Sequence, residues 1–324
     1  MLEVRTDLAL EAHEAYAKEN KGEIPGVSTD VEDGKEIKIT RVRILDKRGE
    51  KIIGKPIGTY VTIEAQNLRD FEQDLQDELS KTVAKELDDI IKLDEDKTAL
   101  VVGLGNWNVT PDALGPKVVS RLMITRHLKR LMPDSLEKGT RPVCAISPGV
   151  LGITGIETSE IIQGVVKKIE PDIAIVVDAL ASRRLSRVST TIQISDTGIS
   201  PGSGVGNRRT GLNESILKIP VIAVGVPTVV DAATMANDTI DMVIDNLIKN
   251  SKGAKEFYNM LKGIDRNEKL ELINEVLSPY AANLMVTPKE VDSIIDNISK
   301  IVANGLNIAL QPSIHLKDIN RYIN

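Results

Sequence analysis

Two aspartates of this sequence follow predicted buried strands. Asp178 comes directly after the apolar run 173–177, and Asp112 lies in the turn that follows residues 98–102. Because reactive groups gather outside the carboxyl ends of parallel strands, we expect both side chains at one edge of a sheet. Two close carboxylates cannot both ionise freely, so one keeps a proton to donate while the other accepts one. The pair predicts general acid–base hydrolysis or, alternatively, a site for a metal that activates water.

Each aspartate also has a purely structural interpretation. The side chain of Asp112, directly after Pro111, and that of Asp178 could each cap the helix that follows. The protein would then be a regulatory or binding module without catalysis. Spacing alone does not decide between these hypotheses, but an Asp178 variant that stays folded and loses hydrolytic activity would.

Other reactive residue types are scarce or poorly placed. None of the three histidines follows a predicted core strand and no His-Glu-x-x-His motif occurs, which disfavours zinc-peptidase and Ser-His-Asp sites. Cys144 lies in a predicted buried strand, where a small apolar residue is the usual occupant. Gly103 and Gly105 lack the third glycine of a dinucleotide-binding turn, and the loop 202–207 lacks the Lys-Ser/Thr ending of a P-loop.

Three further residues are candidates for substrate binding. Arg183 follows Asp178 closely, and Ser203 and Arg208 lie in or beside the glycine-rich loop 202–207. The two arginines could bind an acidic substrate side chain. The competing interpretation is that the arginines are solvated at the surface and that Ser203 belongs to a flexible turn.

The elements that would position these residues differ along the chain. Residues 36–64 alternate apolar and polar side chains around a turn, which predicts an antiparallel β segment with one wet face. The middle of the chain instead contains almost uncharged runs separated by helical stretches, a pattern typical of parallel strands covered on both faces. The runs are 98–102, 143–146, 173–177 and 221–224, and the helical stretches are 114–130, 157–169 and 236–248.

The sequence therefore predicts an α/β fold with a mostly parallel sheet covered by helices on both faces. An antiparallel β segment precedes an α/β core of about residues 98–250, and about residues 254–324 are predicted to be helical. Residues 190–194 are predicted to add one more strand, with a sheet edge as one option for its place. Residues 68–93 are predicted to form a charged amphipathic helix.

Composition limits the function classes. The chain has 324 residues with 41% hydrophobic, 27% charged and 2% aromatic residues, so an ordinary core of aliphatic side chains is expected. The net charge of −6 without a basic cluster argues against nucleic-acid binding. A single cysteine excludes an intramolecular disulfide, and the N-terminus lacks the apolar segment of a signal peptide. Apolar runs are too short to span a bilayer, so we expect a cytoplasmic protein without membrane contact.

Several long blocks of the sequence are specific enough to compare with a known family. They are Val-Gly-Leu-Gly-Asn at 102–106, Val-Thr-Pro-Asp-Ala-Leu-Gly-Pro-Lys at 109–117, Gly-Ile-Glu-Thr-Ser at 155–159, Val-Asp-Ala-Leu-Ala at 177–181, Thr-Ile-Gln-Ile-Ser-Asp-Thr-Gly at 191–198, Pro-Gly-Ser-Gly-Val-Gly-Asn at 201–207 and Asn-Leu-Met-Val-Thr-Pro-Lys-Glu-Val-Asp at 283–292. These blocks resemble the germination protease (spore protease) family. The similarity runs from Val4 to about Leu310.

The resemblance implies a homotetrameric endopeptidase that starts the degradation of small acid-soluble spore proteins in the core of a germinating spore. It also implies a zymogen that removes its own N-terminal peptide, with the cut between Asp7 and Leu8 in Arg-Thr-Asp-Leu-Ala. Residues 1–7 would be the propeptide and residues 8–324 a single peptidase domain. Asp112 and Asp178 correspond to the two aspartates proposed as catalytic in the family.

The block around Asp112 is also similar to hydrogenase-maturation endopeptidases, which implies a fold like theirs. In those enzymes carboxylates at matching positions bind a metal together with a histidine, which has no evident counterpart here. We therefore expect an aspartic-type pair and no cofactor, with Asp112 and Asp178 as divalent-metal ligands being the alternative.

Overall fold

The computed structural model describes residues 6–20, 24–65, 72–132, 134, 136, 138–200, 202, 210–250, 273, 275–276 and 284–311. Within them the chain forms one sheet of nine strands with helices on both of its faces. The strands are β1 (Val27–Asp33), β2 (Lys38–Ile44), β3 (Gly58–Glu64), β4 (Ala99–Gly103), β5 (Val143–Ile146), β6 (Ile173–Ser182), β7 (Thr191–Ser195), β8 (Val221–Asp231) and β9 (Met285–Val286).

Ten α-helices lie among the described residues. They are α1 (Ala9–Asn20), α2 (Lys47–Ile53), α3 (Gln73–Ile91), α4 (Leu114–Val119), α5 (Arg126–Leu131), α6 (Leu151–Thr154), α7 (Thr158–Ile169), α8 (Glu214–Leu217), α9 (Ala232–Asn250) and α10 (Val291–Leu310). None of the helices in this part of the chain is long and apolar enough to cross a lipid bilayer.

The sheet is mixed. Its strand order is β1-β2-β3-β7-β8-β6-β4-β5, with β9 added to β8. The pairs β4–β5, β4–β6 and β6–β8 are parallel, whereas β1–β2, β2–β3, β3–β7, β7–β8 and β8–β9 are antiparallel. The prediction of a mostly parallel sheet therefore holds only for the block β5-β4-β6-β8.

The antiparallel N-terminal segment joins this block through β7. That strand pairs with β3 on one side and with β8 on the other, so it lies inside the sheet and not at an edge. All five residues of β7 are buried, as expected of an interior strand. The sequence of an apolar run does not indicate which strands it pairs with. The place of β7 in the strand order therefore could not be predicted.

Helices cover both faces of the sheet, as predicted. One face packs against α3, α4 and α10, whose apolar residues include Leu79, Leu114 and Ile298. The other face carries two separate clusters, one under α7 and α8 and one under α1. The candidate site lies where the N-terminal segment before α1 contacts the sheet, since Asp7 N–H donates to the carbonyl oxygen of Ala181 in β6.

The predicted helix 114–130 is divided into α4 and α5. The side chain of Asn307 in α10 accepts a hydrogen bond from Met123 N–H at 2.9 Å and donates one to the Arg121 carbonyl at 3.0 Å. These backbone groups would otherwise bond within a continuous helix. Of the C-terminal part predicted to be helical, α10 is confirmed, while most of residues 251–283 and 312–324 lie outside the described residues.

Candidate active site

Asp178 lies within a strand and not at its end. β6 continues to Ser182 because the residues after Asp178 pair with β8, where Asp178 itself is opposite Gly225. Pairing with β4 on the other side stops at Val177, opposite Gly103. The prediction that Asp178 ends the strand was wrong, and so was its interpretation as a helix cap. The carboxylate nevertheless lies where the parallel neighbour ends, which leaves space beside it.

Asp112 ends a short 3₁₀ helix, Thr110–Asp112, that follows β4. Its Oδ2 accepts a hydrogen bond from Asn106 N–H at 2.8 Å. The N-cap of α4 is Ala113, with no side-chain hydrogen bond to the cap, so Asp112 does not cap that helix. The carboxylate is instead held by the turn that precedes it.

Gly105 makes this turn possible. Its φ is +114°, in the region that side chains disfavour, and a Cβ atom there would lie 1.9 Å from the Asp112 carbonyl oxygen. A side chain at position 105 would therefore displace Asp112. This close approach is the physical reason for the glycine in the Gly-Leu-Gly-Asn block.

The structure brings the two aspartates to one cavity of about 410 Å³. Asp112, Asp178 and Asp7 all line it, together with Gly105, Ala181 and Thr287 among others. Asp178 is 6% exposed. Its burial raises the pKa of the Asp178 carboxyl well above the usual value, and the neighbouring charges of Asp112 and then Asp7 raise it further. The surroundings of Asp178 therefore favour its protonated form.

The segment with the predicted cleavage site lies along β6. Asp7 N–H donates to the Ala181 carbonyl at 3.2 Å, and Ala181 N–H donates to Asp7 Oδ2 at 3.0 Å. Leu8 is fully buried, and α1 begins at the next residue. The bond between Asp7 and Leu8 is thus held in a fixed place against the strand that carries Asp178.

Two residues to which the sequence analysis gave no role contact the same segment. Lys55 Nζ donates to the carbonyl oxygen of Asp7 at 3.1 Å and to that of Thr6 at 3.4 Å. Gln193 Nε2 donates to the Asp7 carbonyl at 3.3 Å, and its Oε1 accepts from Ala9 N–H at 2.8 Å. A polar residue on an apolar strand was a signal for Gln193. No motif surrounds Lys55.

A group of buried ions holds α1 on the sheet. The guanidinium of Arg187, 7% exposed, contacts Glu14 at 2.7 Å, Glu64 at 2.8 Å and Glu11 at 3.6 Å. Glu11 also accepts from the hydroxyl of Thr6. Burial raises the pKa of the Glu11 carboxyl, although its hydrogen bonds and the arginine charges oppose this effect. The helix that follows the predicted cleavage site is therefore fixed at its first turn.

The other residues predicted for the site are Arg183, Ser203 and Arg208, of which the structure describes Arg183. Arg183 is half-buried, its backbone N–H donates to Glu11 Oε2 at 2.7 Å, and it is not among the described residues that line the cavity. Ser203 and Arg208 lie outside the described residues. Within the described ranges no group of three or more His, Cys, Asp or Glu side chains is placed to hold a metal ion.

Comparison with known proteins shows the family of the chain. A sequence model of the family described as "Germination protease" matches residues 3–261 and 245–323. The chain is 59% identical over 323 residues to the germination protease of Clostridium tetani and 58% identical over 325 residues to one from Clostridium perfringens, with 100% of each chain covered. It is 44% identical over 355 residues to that of Bacillus subtilis, covering 98% of this chain and 96% of the relative. The chain therefore belongs to the germination protease family and is a germination-related protease.

Proposed function

We propose that this protease is an endopeptidase made as a zymogen, which cuts itself between Asp7 and Leu8 and then starts the degradation of small acid-soluble spore proteins in the spore core. The observation that carries the proposal is the position of Asp7. It lines the same cavity as Asp112 and Asp178, and its backbone is hydrogen-bonded to the strand that bears Asp178. Residues 1–7 are the propeptide in this proposal.

The two aspartates divide the work of hydrolysis. Asp112, whose carboxylate accepts the Asn106 N–H, takes a proton from a water molecule that adds to the Asp7 carbonyl carbon. Asp178 gives its proton to the nitrogen of Leu8 as the C–N bond breaks. The products are a new carboxyl terminus at Asp7 and a free amine at Leu8. At the end of the reaction Asp112 carries the proton and Asp178 is ionised. The high pKa of Asp178 supports its part as the acid.

In this proposal the segment around Asp7 is bound as a substrate would be. Ala181 N–H donates a hydrogen bond to the acidic side chain of Asp7, and Leu8 and Ala9 are both fully buried. When residues 1–7 leave, the position of the Asp7 side chain beside Ala181 N–H becomes available to an acidic residue of another chain. The proposed substrates are small acid-soluble spore proteins with an acidic, an apolar and an alanine residue in succession, as at residues 7–9.

A homotetramer is part of the proposal. Exposed apolar side chains on α9 support an interface between copies, since Met242 is 67% and Val243 is 53% exposed. The two residues follow one another on the same helix, where an isolated subunit would leave them in water.

Substitution of each aspartate tests the proposed mechanism. Asp112→Asn and Asp178→Asn keep the shape of the side chain and remove its ionisation. We expect each to lower the rate of self-cleavage by about 10²- to 10⁴-fold, as for loss of a general acid or base. The control is Asp96→Asn, a change at an exposed position in the loop between α3 and β4. A folded Asp112 or Asp178 variant that cuts at the wild-type rate would remove that residue from the mechanism.

The same preparations separate the alternatives. A metal-dependent peptidase with Asp112 and Asp178 as ligands would lose its activity to a chelator and regain it with a divalent metal. The carboxylate pair predicts no effect of the chelator. A binding module without catalysis would leave the zymogen uncut in every variant.

A further inference from the structure

We infer that Lys55 and Gln193 bind the oxygen of the carbonyl group that is cleaved, and that Lys55 is a third catalytic residue of this protease. The inference rests on the proposed cleavage between Asp7 and Leu8. The carbonyl oxygen of Asp7 is the acceptor for both side chains, at 3.1 Å from Lys55 Nζ and 3.3 Å from Gln193 Nε2. In hydrolysis of this bond, that oxygen is the atom on which negative charge develops.

The local fold fixes the position of Lys55. Helix α2 ends at Gly54, which has a φ of +72° and donates its N–H to the Glu50 carbonyl. The left-handed residue turns the chain out of the helix directly before Lys55. The Tyr60 hydroxyl then holds the following residue by donating to the Pro56 carbonyl at 2.9 Å. The backbone on both sides of Lys55 is thereby restrained.

The position of Gln193 follows from the register of the sheet. Gln193 on β7 is opposite Gly225 on β8, which is in turn opposite Asp178 on β6. Paired residues project to the same face, so Gln193 and Asp178 share a face about 10 Å apart, the width of two strand spacings. Asp7 lies between them. It lines the cavity of Asp178 while its carbonyl oxygen contacts Gln193.

Gln193 also fixes the orientation of the peptide segment. Its amide contacts both sides of Leu8, donating to the Asp7 carbonyl and accepting from Ala9 N–H. The two contacts use the two polar ends of one planar amide, and they therefore fix the orientation of the backbone on both sides of Leu8.

These contacts suit the chemistry of the addition step. When water adds to the Asp7 carbonyl carbon, the carbonyl oxygen gains negative charge that two donors, one of them cationic, stabilise. Lys55 keeps its protons throughout, because the proton for the Leu8 nitrogen comes from Asp178. Burial lowers the pKa of the Lys55 ammonium, and the charges of Asp7 and Glu11 oppose that shift. The neighbouring carboxylates thus help to keep Lys55 charged.

Lys55→Met tests the inference, because methionine keeps most of the side-chain volume and removes the charge. The rate of cleavage between Asp7 and Leu8 is measured in the purified full-length zymogen. We expect a fall of about 10²- to 10³-fold, as for loss of one oxyanion donor. The matched control is Lys51→Met, a charge removed at an exposed position of the nearby α2, which should leave the rate unchanged.

A structural role for Lys55 predicts a different result. If the lysine only held the propeptide in place, Lys55→Met would speed hydrogen exchange of the Asp7 and Ala181 amides, which join this segment to β6, in parallel with the fall in rate. Our inference predicts slow cleavage with these two amides still protected. Parallel loss of protection and rate would overturn it.

Gln193→Glu provides a second test if Lys55→Met does not fold. Glutamate keeps the acceptor for Ala9 N–H but replaces the donor to the Asp7 carbonyl with a negative charge, so slow cleavage is again expected. Wild-type rates in both variants, beside an inactive Asp178→Asn, would overturn the inference and leave the proposed function intact. A wild-type zymogen never cut between Asp7 and Leu8 would overturn both.

Discussion

Asp7 and Ala181 exchange two hydrogen bonds: Asp7 N–H donates to the Ala181 carbonyl, and Ala181 N–H donates to the Asp7 carboxylate. The first contact is that of an added strand and is available to any residue. The second needs a side-chain acceptor and is available to a short acidic residue. Since Ala181 is three positions after Asp178 on β6, one strand both recognises the acid and carries a proposed catalytic group.

Removing the Asp7 carboxylate should therefore slow self-cleavage. Hydrogen bonds to charged groups contribute about 1.5–3 kcal/mol, so we expect Asp7→Ala to be cut about 10- to 100-fold more slowly. Asp7→Asn keeps an acceptor for Ala181 N–H without the charge and should fall between this variant and the wild type. N-terminal sequencing and mass spectrometry of timed samples measure the cut. An Asp7→Ala zymogen processed at the wild-type rate would contradict the role of Ala181.

Much of the framework around the site could be predicted from local patterns. The apolar runs 98–102, 173–177 and 221–224 all occur in observed strands, and they lie side by side as parallel neighbours. Hydrophobic runs bounded by glycine or charge predict buried strands, because hydrophobicity is a property of the residue itself. The convergence of Asp112 and Asp178 followed from that reasoning and from the family resemblance.

What could not be predicted depends on contacts between distant parts of the chain. The run 173–177 stops at Asp178 because the residue is charged, yet β6 continues as its backbone pairs with β8. Lys55 contacts a segment 48 residues away, through a side chain that in isolation would be solvated. The length of β6 and the contact of Lys55 with Asp7 cannot be read from the local sequence, because both depend on which distant segments the fold brings together.

The charge of Asp178 should make the wild-type protein less stable as the pH rises. Its pKa in the folded state is raised by burial and by Asp112 and Asp7, so the folded state keeps its proton at pH values where the unfolded chain has lost it. This contribution to stability is fully present below the pKa of Asp178 in the unfolded chain and is lost as the pH rises through its pKa in the folded state. Asparagine at position 178 does not ionise, so the free energy of unfolding of Asp178→Asn does not fall in this way.

We therefore expect Asp178→Asn to melt at a higher temperature than the wild type at neutral pH, with a difference that shrinks as the medium becomes acidic. Thermal unfolding across this range measures it, with Asp112→Asn present in both chains to prevent processing. Burial and the charge of Asp7 then remain as the causes that raise the Asp178 pKa. Asp96→Asn, at an exposed position, should show no such trend. A difference that grows towards acid pH would show that the Asp178 pKa is lowered.

The pH dependence of self-cleavage separates the carboxylate pair from a metal mechanism. The pair works while it shares one proton, and its titration belongs to both residues. Because the pKa of Asp178 is raised, the singly protonated form extends towards neutral pH and is lost as the pH rises further. We expect the rate to increase from alkaline to mildly acidic conditions and to fall once acid protonates both carboxylates.

A metal-bound hydroxide predicts the opposite slope, since acid protonates both the nucleophile and the ligands. The rate of the Asp7–Leu8 cut should therefore be followed in purified zymogen from acid to alkaline pH, with and without a chelator. Asp7→Asn serves as an internal check, because removing the Asp7 charge takes away one of the causes that raise the Asp178 pKa and should move the alkaline limb to lower pH. A rate that climbs steadily with pH and vanishes with the chelator would replace the carboxylate pair with a metallopeptidase. A limb that stays fixed in Asp7→Asn would show that the propeptide carboxylate does not influence the acid that cuts it.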